Sequence, residues 1–175
     1  MNIYLNNGLR FAFFVLLQVL VLNQIEIGIG IQLMVYPMFV LLLPVELGVI
    51  PLLFAAFAHG LVIDTLSNTY GLHTSALLVF AYARPGIFKL FAPRDGYENL
   101  TETNLFTMGT PWFLKTFGLL ILIHHFWFFL IEMFKINELL FVFQKTLLST
   151  FFCIVLAILF QYLFLRKSVG NEVRR

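Results

Sequence analysis

Long apolar runs, broken by brief polar punctuation, dominate the chain. Six can be read: 9–25, 32–44, 48–64, 72–90, 111–133 and 138–165. A helix that crosses the hydrocarbon core of a bilayer needs about 20 mostly apolar residues, with a range of about 17–25. The first, fourth, fifth and sixth runs satisfy that requirement. The second and third are separated by Pro44-Val45-Glu46-Leu47-Gly48, with Pro51 just beyond. Fused, they would overshoot the core, and proline and glycine break a helix interior, so the pattern predicts two short helices joined by a tight turn.

Composition strengthens the membrane reading. The 175 residues are 61% hydrophobic and 11% charged, with a mean hydropathy of +0.93. Soluble domains carry about 25% charged residues. The length leaves room for one membrane domain, 1–175, and no separate soluble one. The first run follows Arg10, as in a secretion signal, but it ends in Asn23-Gln24-Ile25-Glu26 without a small-residue cleavage site, so it reads as a retained span.

Charge then orients the spans. With six spans and the N-terminus inside, Arg10, Arg84, Lys89, Arg94, Lys115, Arg166, Lys167, Arg174 and Arg175 fall on or near the cytoplasmic side. Only Lys135 and Lys145 fall toward the outside. Cytoplasmic flanks are enriched in Lys and Arg, so the asymmetry predicts that both termini are cytoplasmic. A five-span arrangement would set Arg10 against the C-terminal cluster.

The chemistry-bearing residues form a polar trail: His59, Gly60, Asp64, Asn68, Gly71, His73 and Arg84-Pro85. Ionisable side chains inside a bilayer are costly and mark specific work. Gly60 and Asp64 are four apart and share a helix face, and a glycine there permits close approach of another helix. The link from Thr65 to Tyr70 is short, so Asp64 and His73 face each other across a hairpin. Arg84 lies about 16 Å further along its helix. The trail reads either as a polar network that locks the hairpin or receives a partner, or as a helix cap, an interfacial histidine and a snorkelling arginine.

Other candidates are plainer. His124 and His125 diverge by about 100° on a helix. They lack a third ligand at suitable spacing and the His-Glu-x-x-His pattern, so they read as polar contacts between helices and no metal site is expected. Cys153, the single cysteine, reads as a small packed residue. The 91–111 loop carries Arg94, Asp95, Tyr97 and Glu98 and is either a connector or a cytoplasmic docking surface. The basic tail from Arg166 reads as an anchor to anionic lipid. Its few basic residues lack an aromatic stacking platform, which argues against nucleic acid.

One further pattern links these pieces. Arg10 precedes a span containing Leu16-Leu17-Gln18-Val19-Leu20 and ending at Asn23. Tyr36-Pro37 and Leu43-Pro44 follow, then Gly60-Leu61-Val62-Ile63-Asp64, Gly71-Leu72-His73 and Arg84-Pro85. Pro93-Arg94-Asp95-Gly96-Tyr97-Glu98 and Ile123-His124-His125 complete the series. In this order and spacing the chain resembles the rod shape-determining protein MreD family over essentially its whole length. The resemblance implies an all-α polytopic protein of the bacterial inner membrane. It implies a six-helix bundle similar to the substrate-binding component of energy-coupling-factor transporters. It also implies no enzymatic activity, no cofactor, and a place in the elongation machinery for lateral wall growth. The implied partners are MreC, the actin-like MreB, RodA and a penicillin-binding transpeptidase. Glu46 departs from the family's turn after the second span.

The expected function is a non-catalytic membrane scaffold, with Gly60, Asp64 and His73 offering a lateral contact to the single span of MreC. One rival is a small-molecule binder with a pocket lined by His59, Asp64, Asn68 and His73. Another is an intramembrane enzyme using Ser67 or Ser75 beside His73, the only nearby nucleophile-and-base combination.

Overall fold

The computed structural model describes residues 3–25, 27–28, 30–94, 96–97 and 103–165. Its elements are helices: α1 (Ile3–Leu16), α2 (Pro37–Leu41), α3 (Val49–Ser67), α4 (Leu72–Leu90), α5 (Leu105–Met108), α6 (Thr110–Met133) and α7 (Leu139–Phe164). A π turn, Leu17–Val21, and a 3-10 turn, Leu22–Gln24, prolong α1. Four stretches are long and apolar enough to cross a membrane: Leu5–Gln24, Val49–Ser67, Thr110–Met133 and Leu139–Phe164. The chain is therefore described as a membrane protein.

The α4 helix is as long as α3 but more polar, and it lies inside. Its buried residues include His73, Leu77, Phe80, Arg84 and Ile87, recurring every three or four positions as one stripe. It packs between α3 and α6. The connection from α3 is only four residues. Asn68 and Gly71 adopt left-handed backbone there, at φ 54° and 92°, which asparagine and glycine tolerate best. We call this the hairpin end of the bundle. The opposite end carries the 91–109 connection and is called the loop end.

Residues 32–44 differ from the expected short spanning helix. Only Pro37–Leu41 is helical, with Pro37 in the first turn, where its missing N–H costs nothing. Residues 32–34 have no helical hydrogen bonding, Val35 contributes only its carbonyl, to Met38 N at 3.0 Å, and Ile31 and Leu33–Leu43 are buried. This thread runs through the bundle interior from the hairpin end to the loop end. Non-helical backbone at membrane depth is tolerated only where protein surrounds it and satisfies its polar groups.

Side chains from two helices supply those bonds, one on each edge of the extended stretch. On one edge, Gln18 Nε2 donates to the Leu33 carbonyl at 2.8 Å and Val35 N donates to Gln18 Oε1 at 3.1 Å. On the other, Gln32 N donates to Ser149 Oγ at 3.1 Å and Met34 N to Cys153 Sγ at 3.0 Å. The match has a geometric cause. Four residues of helix rise about 6 Å, and two residues of extended chain rise about 6.6 Å. Ser149 and Cys153, one turn apart on α7, thus meet alternate N–H groups of the thread.

Candidate functional site

The hairpin end is organised around Asp64, in the last turn of α3. Its Oδ1 accepts from Thr69 Oγ1 at 2.6 Å, from His73 N at 3.0 Å and from His73 Nδ1 at 3.1 Å. Its Oδ2 accepts from Thr74 N at 2.8 Å and Thr74 Oγ1 at 2.5 Å. Each oxygen accepts from a backbone N–H, which can only donate, so the site is built for an acceptor group such as a carboxylate. His73 N and Thr74 N belong to the first turn of α4, where no carbonyl of the same helix is available. Asp64 thus caps α4 from α3, and its negative charge faces the positive end of the helix dipole.

Gly60 lets the two helices come that close. A Cβ added there would lie 2.6 Å from Thr74 Cα. The expectation that Gly60 admits an outside helix is corrected here: Gly60, Asp64 and His73 are all buried, and the helix Gly60 meets is α4 of its own chain. Gly71 contributes through its backbone, not by close approach, since nothing lies within 4 Å of a Cβ placed on it.

A second layer lies deeper. Tyr36, at the start of α2, has its Oη 2.7 Å from His124 Nε2 and its ring centroid 5.5 Å from that of His73. His125 turns the other way, with Nδ1 3.0 Å from Thr150 Oγ1 and Nε2 3.6 Å from Cys153 Sγ. The adjacent histidines thus tie α6 to the thread and to α7 respectively. His59 stacks on Phe39 with centroids 4.5 Å apart and is edge-on to Phe11 at 4.7 Å. Neither of its ring nitrogens has a partner among the described residues.

Arg84 lies apart from this cluster, toward the loop end. It does not snorkel: only 2% of it is exposed. Its guanidinium donates to the Leu41 carbonyl at 3.2 Å, to the Leu43 carbonyl, and to the Pro44 carbonyl at 3.4 Å. The ring of Phe88 lies 4.5 Å beneath it. Among the described residues no carboxylate pairs with it. Thr103 Oγ1 also donates to the Leu41 carbonyl, at 3.0 Å. Arg84 therefore closes the exposed-carbonyl end of α2 and the turn after it.

The expected docking loop is only partly described. Arg94 is exposed. Tyr97 is turned inward: its Oη donates to the Phe88 carbonyl at 2.7 Å and accepts from Trp112 Nε1 at 3.2 Å. Burial pushes its phenol pKa up, against the lowering effects of the Trp112 bond and the Arg84 charge. Asp95, Glu98 and the basic tail from Arg166 lie outside the described residues.

A chamber of about 500 Å³ lies at the hairpin end. Of the expected pocket residues, only His73 lines it; His59, Asp64 and Asn68 do not. Ser67 also lines it, with its Oγ taking a hydrogen bond from Asn23 Nδ2 at 2.9 Å. Near the rim, Lys145 Nζ pairs with Glu132 at 2.9 Å, and Gln32 Nε2 donates to the same carboxylate at 3.0 Å. Among the described residues no three His, Cys, Asp or Glu side chains gather as metal ligands.

Sequence reasoning did not single out Gln18, Tyr36, Thr74 or Thr103 as site residues. Gln18 carried a signal: an uncharged amide in the middle of Leu16-Leu17-Gln18-Val19-Leu20 is costly unless bonded. Cys153, read as a packing residue, is also a backbone acceptor. Comparison of the chain with family models, with curated proteins and with solved structures finds no match in any of the three.

Proposed function

We propose that this chain is a non-catalytic scaffold of the bacterial elongation machinery, of the rod shape-determining MreD type, acting through contact with MreC. The ordered series of motifs, from Leu16-Leu17-Gln18 to Ile123-His124-His125, supports the family reading. The observation that carries the scaffold reading is the use made of Asp64 and Arg84. Both bond to the backbone of their own chain and fix the shape of the bundle.

Lateral contact then falls to the apolar outer faces rather than to the hairpin interior. On α3 that face carries Phe54, Phe57 and Leu61, all exposed. Association between spans in lipid relies on packing, and such a face supplies bulk for it. The thread counts as a crossing in this reading, giving an even number of passes and both termini on the cytoplasmic side of the inner membrane. MreB, RodA and the transpeptidase are reached through the same assembly.

The test is affinity purification of the tagged full chain from its native membranes, together with depletion in the same cells. Recovery of MreC, and rounding of rods on depletion, are the expected results. Normal rods after depletion, with MreC never recovered, would reject the scaffold. Reporters active only outside the cytoplasm should be silent when fused at Arg175 and active near Asn68.

A further inference from the structure

The chamber at the hairpin end has the size of a ligand site; such sites span roughly 300–1,000 Å³. Its lining includes helix ends and described residues of the connection after α1, of which Asn23, Ile25 and Gly30 are exposed. It therefore opens at the end of the bundle and not onto a lateral face. Much of its wall is apolar, including Leu22, Ile31, Leu72 and Phe128.

Most polar groups in the wall are already engaged. The Gln18 amide holds the thread and Asn23. Asn23 Nδ2 holds Ser67, and Thr69 Oγ1 holds Asp64. Glu132 is neutralised by Lys145. His73 is different. Its Nδ1 lies 3.1 Å from Asp64 Oδ1 and 2.9 Å from Thr69 Oγ1, whose own hydrogen goes to Asp64, so both neighbours accept from Nδ1. With the ring's hydrogen on Nδ1, Nε2 is left as an acceptor. Nε2 makes no hydrogen bond among the described residues, yet it is not one of the buried atoms sealed from solvent. The His73 side chain is 5% exposed and lines the chamber, so that exposure is onto the chamber. The carboxylate behind it fixes the tautomer and makes Nε2 a better acceptor.

We propose that this chamber binds a small uncharged molecule with an apolar body and one N–H or O–H group, which donates to His73 Nε2. The apolar wall and the edge-on Phe128 ring, 5.0 Å from His73, suit the body. The absence of an unpaired charge in the described wall disfavours an ion, because a charge buried there would lack a partner. A charged phospholipid headgroup is disfavoured on the same ground. The inference is independent of the scaffold reading, since its readouts are confined to the chamber.

The experiment uses the full chain in detergent micelles, labelled with ¹⁵N-histidine, with indole and 1-methylindole as probes. The His73 Nε2 signal is followed, so partition of either probe into the micelle does not register. Indole is expected to shift that signal saturably. The 1-methyl compound lacks the donor and should bind about fivefold more weakly, the value of one hydrogen bond. Leu72→Trp fills the chamber from its wall while leaving the Asp64 bonds in place, and should abolish the response to both. No saturable shift with indole, or equal affinity for the two probes, overturns the proposal. Those two results come from the unaltered protein, so a variant that fails to fold does not weaken the test.

Discussion

Asp64 and Arg84 are both buried charges inside an apolar bundle, yet the two ends of α4 use them in opposite senses. At the hairpin end a carboxylate collects N–H and O–H donors from residues five to ten positions away. At the loop end a guanidinium serves carbonyls about 40 positions away. One closes the donor end of α4 and the other closes the acceptor end of α2. Charge here repairs the main chain where a helix starts or stops inside the bundle, and that repair differs in redundancy. The Leu41 carbonyl keeps Thr103, and the Pro44 carbonyl keeps Leu47 N, if Arg84 is lost. The His73 and Thr74 N–H groups have no second acceptor within their own helix.

That asymmetry orders the expected losses. Asp64→Ala should cost about 3 kcal/mol, because it strands two first-turn N–H groups and removes the cap. Asp64→Asn keeps an acceptor oxygen and should lose roughly half as much. Arg84→Met should cost less, about 2 kcal/mol, since two of its three carbonyls retain partners. Reversible unfolding in mixed micelles measures all three. If Arg84→Met proves the more damaging change, redundancy is not what separates the two ends.

Gly60→Ala tests the packing that lets Asp64 reach α4. The new Cβ meets the Thr74 backbone, not a movable side-chain tip, so the helices must separate. A loss of about 1–2 kcal/mol is expected, in the range of overpacking changes. Combined with Asp64→Ala, the two losses should fall short of additivity, because a hairpin already spread by the first change has less cap to lose. Full additivity would mean that the cap does not depend on the close approach.

The difference between the ends also governs what the sequence made legible. Four helices lie close to the expected runs, as in 111–133 against Thr110–Met133, but the spanning lengths were partly misassigned. Val49–Ser67, expected to be short, is apolar and long enough to cross, while Leu72–Leu90, expected to cross, is too polar to be counted with it. The Asp64–His73 contact was legible because a short link joins two helices and leaves few ways to fold back. The partner of Arg84 was not, since backbone carbonyls carry no residue signature. The thread was misread as a spanning helix because a short apolar run does not distinguish buried extended chain from helix by period. Pro37 was the available clue: a proline of this kind often marks a first turn, and it leaves only five residues for the helix. Gly60 was rightly read as a point of close approach, but the approaching helix was sought outside the chain.

The smallest effect should come from the thread's other edge, where the donor is a single N–H and the acceptor is sulfur. Cys153 Sγ takes the Met34 N–H at 3.0 Å and lies 3.6 Å from His125 Nε2. Sulfur is a weak acceptor, so this bond holds less than the paired bonds of Gln18. Cys153→Ala removes it and leaves a small gap, and should cost about 1 kcal/mol. Cys153→Ser replaces it with a better acceptor on a shorter side chain, and should be near neutral. Gln18→Leu removes bonds to both Leu33 and Val35 and should exceed either cysteine change. Amide exchange at Met34 and Val35 separates the edges: Cys153→Ala should speed Met34, and Gln18→Leu should speed Val35. Equal acceleration of both amides by either change would mean that the thread opens as one unit, and that its two edges are not held independently.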